Sequence, residues 1–437
     1  MALQVPSEPP PEDAATPTPV LPPRVNAAPT AAPTAHVLEL LRERTYRNYW
    51  LSNFCYFLGF GAQRFAFVLF VLELTDRAGL GGLVGFALGV PAFFITVPAG
   101  VWADRFDRKR MTSTSFAAGA VLLALLSAAT FAGLVDAAVA LGAALAVGFV
   151  TASVMPPMTA IVPMIVPADR LVNGIVLRTM GQNLAQFVGA VTGGVTIAAF
   201  DYGGAFAFLA GLYLLSLLFM RGVTLPEVAP PAQARPPMRT AAAEGGRFVF
   251  GRSELRALVI ASIMTGLFQL GPIFVLVPEL ARTKLEVGAG LNSLLLAFTS
   301  IGMLAMSAFL ATRSGLSRKG FWFLANLLIA GPAIVLMGLS DWYALTALAL
   351  LIWGLNGGVH INLNQTLIQL NTPNEMMGRV MSIYMLSIAG LIPLGSLLSG
   401  AVAEVLGADG ALISAGIIFS VYSVIAFATE RSLRELD

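Results

Sequence analysis

Arg64 is the side chain whose chemistry fits its surroundings least, because it lies near the middle of an apolar segment that runs from 50 to 74. A charged side chain at the centre of a bilayer costs at least ~2.5–3.5 kcal/mol on insertion scales, so it must face a cavity or a partner. Asn53, Phe57 and Phe60 precede Arg64 at helical spacing and would share its face. Two interpretations stay open: this face contacts a small ligand, through an anionic group at Arg64, or Arg64 is a structural residue held by a partner or by carbonyl groups.

A second polar stripe lies on the apolar segment from 172 to 198. Arg178, Gln182 and Gln186 recur at every fourth position and so share one face of a helix. Lipid would not tolerate such a face, which must therefore contact protein or water. We favour a role in lining a central cavity, and hydrogen bonds between helices are the alternative.

The second part of the chain carries polar side chains of the same kind. Asn356, His360 and Asn364 share a face of one predicted helix, and Gln269 lies on another. We predict that these four side chains line the same cavity. His360 could carry a proton near neutral pH, whereas a hydrogen-bonded structural histidine is the alternative.

Catalytic and metal chemistry find little support in the sequence. The single cysteine, Cys55, excludes an internal disulfide and a thiolate metal cluster, and His36 and His360 are the two histidines, so we predict no metal site. The chain has no His-Glu-x-x-His pair, no Gly-x-Ser-x-Gly elbow and no phosphate-binding Gly-x-x-x-x-Gly-Lys loop. We therefore expect neither an enzyme nor a cofactor, and the net charge of +2 indicates no nucleic-acid partner.

The elements that must position these side chains are membrane-spanning helices. Apolar residues make up 57% of the 437-residue chain and charged residues 11%, against roughly 25% in soluble domains. The apolar segments are near the ~20 residues that a helix needs to cross a bilayer, so we predict an all-α membrane protein with twelve transmembrane helices. The predicted spans are 50–74, 81–102, 111–133, 137–157, 172–198, 203–221, 256–279, 289–311, 320–340, 343–366, 379–405 and 411–428.

The distribution of positive charge predicts the orientation of these helices. Most of the 26 Lys and Arg residues fall on one side of the predicted membrane. Arg77, Arg282 and Lys284 fall on the other side, and Arg64 and Arg178 fall within spans. Because cytoplasmic loops carry an excess of Lys and Arg, we predict that both termini are cytoplasmic.

An internal repeat divides the chain into two similar halves. We predict a disordered Pro/Ala-rich cytoplasmic tail at 1–43, six-helix bundles at 44–221 and 255–430, a cytoplasmic linker at 222–254 and a short cytoplasmic tail at 431–437. Four pairs of similar residues share an offset of 206 positions, which supports the division. The pairs are Pro167 and Pro373, Asp169 and Glu375, Gly189 and Gly395, and Gly194 and Gly400.

A charged loop at 100–110 (GVWADRFDRKR) separates the second and third predicted spans. Its pattern Gly-x-x-x-Asp-Arg-x-x-Arg-Lys resembles the signature loop of the major facilitator superfamily of secondary transporters. The resemblance implies that the aspartate forms ion pairs in one conformation and breaks them in another, as a conformational latch. A simple topology signal is the alternative. The predicted latch consists of Gly100, Asp104, Arg105, Arg108 and Lys109.

Further stretches resemble the drug and siderophore exporter branch of that superfamily, which includes enterobactin and macrolide exporters. They are 46–50 (YRNYW), 163–174 (PMIVPADRLVNG), 371–380 (NTPNEMMGRV) and 390–395 (GLIPLG). The segment 189–194 (GAVTGG) lacks the proline of the antiporter motif Gly-Pro-x-x-Gly-Gly, which weakens the expectation of proton antiport. We predict helix-packing roles for Gly189, Gly193, Gly194, Gly395 and Gly400.

The resemblance implies a transporter of the inner (plasma) membrane that exports small amphipathic compounds, drugs or siderophores, by alternating access. A lipid or lysolipid flippase of the same fold and a membrane protein without transport activity are the alternatives. Protons are the expected coupling ion, and Asp104, Glu73, Glu279 and His360 are the candidate carriers, since no acidic residue lies deep within a span. We expect the protein to be a monomer.

Overall fold

The computed structural model describes residues 39–95, 107–167, 170–225, 238–311, 317–373 and 375–436. Within these ranges the backbone forms helices joined by short turns, and no strands. Helices are the expected solution in lipid, because each backbone N–H and C=O group then finds its partner within one segment.

The helices fall into two sets along the chain. The first set is α1 (Arg44–Thr75), α2 (Ala78–Gly89), α3 (Arg108–Phe131), α4 (Ala137–Ile165) and α5 (Leu171–Arg221). The second set is α6 (Met238–Phe250), α7 (Ser253–Thr265), α8 (Gly271–Thr283), α9 (Ala289–Ala311), α10 (Lys319–Leu339), α11 (Tyr343–Leu370), α12 (Met377–Met385), α13 (Leu391–Thr429) and α14 (Arg431–Arg434). Two π-helical turns continue these helices: Gly266–Leu270 joins α7 to α8, and Leu386–Gly390 joins α12 to α13.

Ten helical stretches in the described residues are long and apolar enough to cross a membrane. Two of them, Asn173–Arg221 and Met377–Thr429, contain 49 and 53 residues, or about 75–80 Å of helix, more than twice the ~30 Å hydrocarbon core. Each contains one residue with non-helical backbone angles, Asp201 (φ 57°, ψ −172°) and Gly407 (φ 75°, ψ 169°). Both breaks fall in gaps between predicted spans. The all-α membrane fold is therefore confirmed, while the number twelve stays a prediction that these breaks support.

Helix α1 runs through the interior of the first half, the name used here for 44–221. In its apolar stretch 72% of residues are buried, against 28% in α3 and in α9. A helix that other helices enclose is expected to be apolar on all sides, whereas α3 and α9 leave most of that stretch uncovered, as helices facing lipid do. Helix α5 packs along α1, where Gly189 lies against the carbonyl of Leu58 and Gly193 lies against Ala62.

The glycines of the 206-residue repeat make equivalent contacts inside the two halves. A Cβ atom added at Gly189 would lie 2.1 Å from the carbonyl oxygen of Leu58 in α1. A Cβ atom added at Gly395 would lie 2.5 Å from the carbonyl oxygen of Leu267, in the π-helical turn between α7 and α8. Only glycine allows helix backbones to approach this closely.

The second repeated glycine joins the halves to each other. Gly194 of α5 lies against Ser293 of α9, and Gly400 of α13 lies against Gly82 of α2. The second half (255–430) thus contacts the first through two similar seams, α5 with α9 and α2 with α13.

Helix α6 lies in the predicted linker and docks on the second half. The Glu244 carboxylate is 2.7 Å from the guanidinium of Arg379, which lies in the first turn of α12. Val249 is fully buried, and the guanidinium of Arg252 stacks 4.3 Å above the ring of Phe248. The linker therefore contains a packed amphipathic helix.

Candidate substrate site and the gate above it

The two halves close on each other at the far end, the name used here for the end where α1 stops and α2 starts. The Gly79 backbone N–H donates to Oε1 of Glu404 over 2.9 Å, and Nε of Arg77 lies 3.5 Å from the same oxygen. The guanidinium of Arg282, at the end of α8, lies 2.7 Å from the carboxylate of Asp76, which caps α1. Both contacts join the first half to the second.

The tail end is the name used here for the end where α1 begins and α13 ends. In the middle of the α2–α13 seam, Gly89 lies against Pro393. Farther towards the tail end, the apolar side chains of Phe94, Met385 and Leu386 are 68%, 53% and 52% exposed. The halves are therefore in contact at the far end, and along the α2–α13 seam this contact continues as far as Phe93 and Gly390.

Arg64 lies where these two regions meet, in the contact between the halves. Its Nη2 donates to Oγ of Ser396 in α13 over 2.6 Å, and its guanidinium carbon lies 4.8 Å from the centre of the Phe274 ring in α8. Its Nε atom is buried and has no hydrogen-bond partner among the described residues. The partners that we find for this cation in the described chain are thus a neutral hydroxyl group and an aromatic face.

The predicted α1 face divides between two environments. Phe60 is 37% exposed, one turn from Arg64. Asn53 and Phe57 are instead buried inside the first half, where Phe57 packs edge-on against Tyr56 at 5.1 Å. Neither amide atom of Asn53 has a hydrogen-bond partner in the described residues. Helical spacing predicts the four side chains on one face, and neighbouring helices cover the part of that face that carries Asn53 and Phe57.

The polar stripe of α5 is half-buried along its length. Arg178, Gln182 and Gln186 all have intermediate exposure. The backbone of Gln186 lies against Gly61 of α1, and Arg178 lies beside the hydroxyl group of Tyr49. The stripe therefore runs along the contact between α1 and α5, and its side chains are neither fully exposed nor fully buried.

The four polar side chains predicted to line the cavity from the second half are buried between helices. Trp353 Nε1 donates to Oε1 of Gln269 over 2.8 Å. The side-chain amides of Asn356 and of Asn326 in α10 each donate to the backbone carbonyl of the other residue. These contacts are hydrogen bonds between helices, of the kind stated above as the alternative for the polar stripe of α5.

His360 and Asn364 form a separate buried cluster. The Asn364 amide donates to Oγ of Ser262 in α7 over 2.9 Å and lies 3.5 Å from Nε2 of His360. The His360 ring packs against Phe323 of α10, at 5.3 Å between ring centres. Nδ1 of His360 and Oδ1 of Asn364 lack partners in the described residues.

Part of the predicted latch lies outside the described residues, namely Gly100, Asp104 and Arg105. The two described members bind the first half. Arg108 donates to the carbonyl of Ala160 over 3.2 Å, and Lys109 donates to the carbonyl of Arg221, at the end of α5, over 2.9 Å. A cation at a helix C-terminus also compensates the unpaired carbonyl groups there.

Of the predicted proton carriers in the described residues, Glu279 and Glu73 lie at the far end and His360 lies between helices of the second half. Glu279 is 6% exposed and pairs at 3.1 Å with Arg282, which also holds Asp76. Glu73 accepts a hydrogen bond from the hydroxyl group of Tyr202 in α5. His360 lies in the buried cluster above. The link from Arg282 to Asp76 was not predicted, because an ion pair between residues 206 positions apart leaves no local signal.

Two cavities flank Arg282 at the far end. One, of about 400 Å³, is lined by residues that include Asp76, Glu279, Lys284, Glu404 and Asp409. The other, of about 450 Å³, is lined by residues that include Glu73, Asp201, Tyr202, Arg282 and Asn292. Carboxylates of both halves line the two cavities, so charge is concentrated where the halves touch.

A family model described as Transmembrane secretion effector, MFS_3, matches residues 35–437. The chain belongs to this family. As a member it is a transporter of the major facilitator superfamily, as the resemblance of the loop at 100–110 implied.

Two curated relatives of this MFS_3 protein carry names from siderophore transport. It is 24% identical over 375 residues to the staphyloferrin A transporter of Staphylococcus aureus (strain NCTC 8325 / PS 47), a match that covers 83% of this chain and 90% of the relative. It is 26% identical over 369 residues to the enterobactin exporter of Shigella boydii serotype 4 (strain Sb227), covering 78% and 82% of the two chains.

A solved transporter structure has the same fold. The bacterial homologue of the human lysosomal transporter Spinster, in an inward-facing and unoccupied conformation, superposes with a TM-score of 0.66 at 16% identity, over 90% of this chain and 97% of the other. At that identity the match describes the fold alone.

Proposed function

We propose that this transporter exports a siderophore or a similar small amphipathic compound across the inner membrane by alternating access. Two relatives named for siderophore transport, each aligned over most of both chains, support the class of substrate. The observation that carries the mechanism is the far-end closure: α1 and α2 meet α8 and α13 through short polar contacts and through glycines. Contacts of this kind separate and re-form as rigid halves rock against each other.

The direction of export follows from the proposed orientation. We place both termini in the cytoplasm, because most Lys and Arg residues lie on that side. The tail end then faces the cytoplasm, and we infer that the halves separate there to admit a compound that reaches Arg64. Opening of the far end, with separation of Arg282 from Asp76, would release the compound outside.

A proton gradient is the driving force that we propose, and the protein would act as a monomer. Glu279 pairs with Arg282, which links the halves through Asp76, so protonation of Glu279 would weaken the hold on Arg282 at the closed end. Glu73, bound to Tyr202 of its own half, lines the cavity beside Arg282 and is the second candidate carrier at this end. Asp104, in the signature loop, would act at the opposite end.

The experiment measures uptake of enterobactin and staphyloferrin A into inverted membrane vesicles, with a proton gradient imposed and then collapsed. We expect gradient-dependent uptake by the wild type and its loss in Asp104→Asn. Asp107→Asn is the matched control, because Asp107 caps α3 by accepting from the N–H of Arg110 and asparagine caps equally well. Uptake that survives collapse of the gradient would refute the proton as the driving ion. Absence of uptake of both compounds would refute a siderophore as the substrate.

A further inference from the structure

Arg64 carries a positive charge that the described part of the protein does not neutralise. The guanidinium lies in the middle of α1, at the contact with α8 and α13, and we find no carboxylate within ion-pair distance of it in the described residues. Its hydrogen-bond partner, Ser396, is neutral, and its Nε–H has none. A half-buried cation with a buried, unused donor atom is expected only where another group takes that place.

The acidic side chains of α1 and α8 that precede or follow this contact are bound to other residues. Glu279, five positions after Phe274 on α8, holds Arg282. Glu73, on α1, accepts from Tyr202. Both contacts lie at the far end, and neither extends to Arg64. The missing negative charge must therefore come from outside the described chain.

We propose that Arg64 binds an anionic oxygen group, a carboxylate or a group of equivalent charge and shape, on the transported compound. This inference rests on the proposed function and adds the substrate class and the residue that selects it. Nε and Nη2 form one edge of the guanidinium, which can bind a carboxylate through two parallel hydrogen bonds. Phe274, already against the guanidinium, and the half-exposed ring of Phe60 supply apolar surface for the rest of the molecule.

The position of Ser396 connects binding to the conformational change. Arg64 belongs to the first half and Ser396 to the second, so their hydrogen bond is one of the contacts between the halves. Ser396 in turn donates to the carbonyl of Ile392 over 3.0 Å and does not depend on Arg64. An anion bound at Nε and Nη2 shares the Nη2 donor with Ser396 and so competes for this contact. Binding then loosens this part of the interface and favours the state in which the halves separate there.

The test compares two probes that share one ring, salicylate and its uncharged amide, salicylamide. Their binding to the purified full-length protein in lipid nanodiscs is measured by titration calorimetry up to millimolar concentration. We expect the wild type to prefer salicylate by roughly tenfold, the ratio that a charge-assisted hydrogen bond provides, and Arg64→Gln to bind the two probes equally. Equal binding by the wild type, no binding of salicylate, or an unchanged preference in Arg64→Gln would each overturn the proposal.

Three further variants separate recognition from folding. Arg64→Lys keeps the charge without the two-pronged edge, so we expect part of the preference to remain. Ser396→Ala should keep the full preference, since Arg64 and not Ser396 recognises the anion. Lys284→Gln removes a positive charge at the far end, where Lys284 pairs with Asp341 at 2.9 Å, and should change nothing. Loss of the preference in Lys284→Gln would show a long-range effect of net charge and refute a site at Arg64.

Siderophore uptake distinguishes the failure of this inference from that of the proposed function. If Arg64→Gln takes up siderophore as fast as the wild type, the proposed function is supported and the anion site at Arg64 is refuted. If the preference for salicylate depends on Arg64 but the protein transports neither siderophore, the anion site is supported and a siderophore substrate is refuted.

Discussion

At the scale of single residues, close approach of helices depends on glycines that carry no side chain. Gly189 of α5 lies so near α1 that an added Cβ atom would be 2.1 Å from the carbonyl oxygen of Leu58. That oxygen is part of a helix backbone and cannot rotate away, so either helix must shift. Gly211, farther along α5, has nothing within 4 Å of the same position. The two glycines thus differ in surroundings while sharing one helix.

Gly189→Ala is expected to destabilise the protein by about 1–3 kcal/mol, the usual cost of overpacking. Gly211→Ala should leave stability unchanged or raise it, because alanine favours the helix by about 1 kcal/mol over glycine. Thermal unfolding of both variants in detergent checks this prediction. Equal melting temperatures for the two variants would show that α1 and α5 do not approach as closely as described.

At the scale of elements, the end of α8 holds the end of α1 through Arg282. The guanidinium contacts Asp76 of the first half and Glu279 of the second, and its side chain is 24% exposed. Lys284, two positions later, contacts Asp341 and the carbonyl of Gly338, which both belong to the second half. Removal of either cation changes the net charge equally, but only Arg282 links the halves.

We therefore expect Arg282→Gln to shift the protein towards conformations with an open far end, and Lys284→Gln to leave the distribution unchanged. Loss of Arg282 also leaves Glu279 buried without its partner, a change that costs ~3–5 kcal/mol for a fully buried pair and less at this partly exposed position. Spin labels at Leu74 and Val405, in a chain whose Cys55 is replaced by Ser, report the far-end distance. An unchanged distance distribution in Arg282→Gln would show that this ion pair does not keep the far end closed.

At the scale of the whole molecule, the orientation in the membrane decides which end faces the cytoplasm. Leu134, in the turn between α3 and α4, is 72% exposed at the far end, and Arg431, at the start of α14, is exposed at the tail end. Because Cys55 is the single cysteine, its replacement by Ser gives a background for labelling introduced thiols.

In that background, a membrane-impermeant maleimide added to intact cells should label Leu134→Cys and not Arg431→Cys. Arg431→Cys should react only after the membrane is permeabilised, because the excess of Lys and Arg holds the tail end inside. Labelling of Arg431→Cys in intact cells would reverse the proposed orientation, and with it the proposed direction of transport.

The sequence by itself determined which segments form membrane-spanning helices, although several observed helices extend beyond the predicted limits. Hydrophobicity and the ~20-residue length of a span are local properties that the bilayer imposes on each segment separately. For the same reason the breaks at Asp201 and Gly407 fall in gaps that the sequence predicts. The charged loop at 100–110 and the repeated glycines likewise indicated the superfamily without any knowledge of packing.

Only the tertiary structure decided which side chains meet. The periodicity of α1 places Asn53 and Phe57 on the face of Arg64, but neighbouring helices bury the first two and leave Arg64 between the halves. Ser396, 332 positions away, was not predicted as its partner, since a serine in an apolar helix carries no distinctive signal. Contacts between spans depend on how two helix bundles pack, which no local pattern encodes, and the candidate site lies in such a contact.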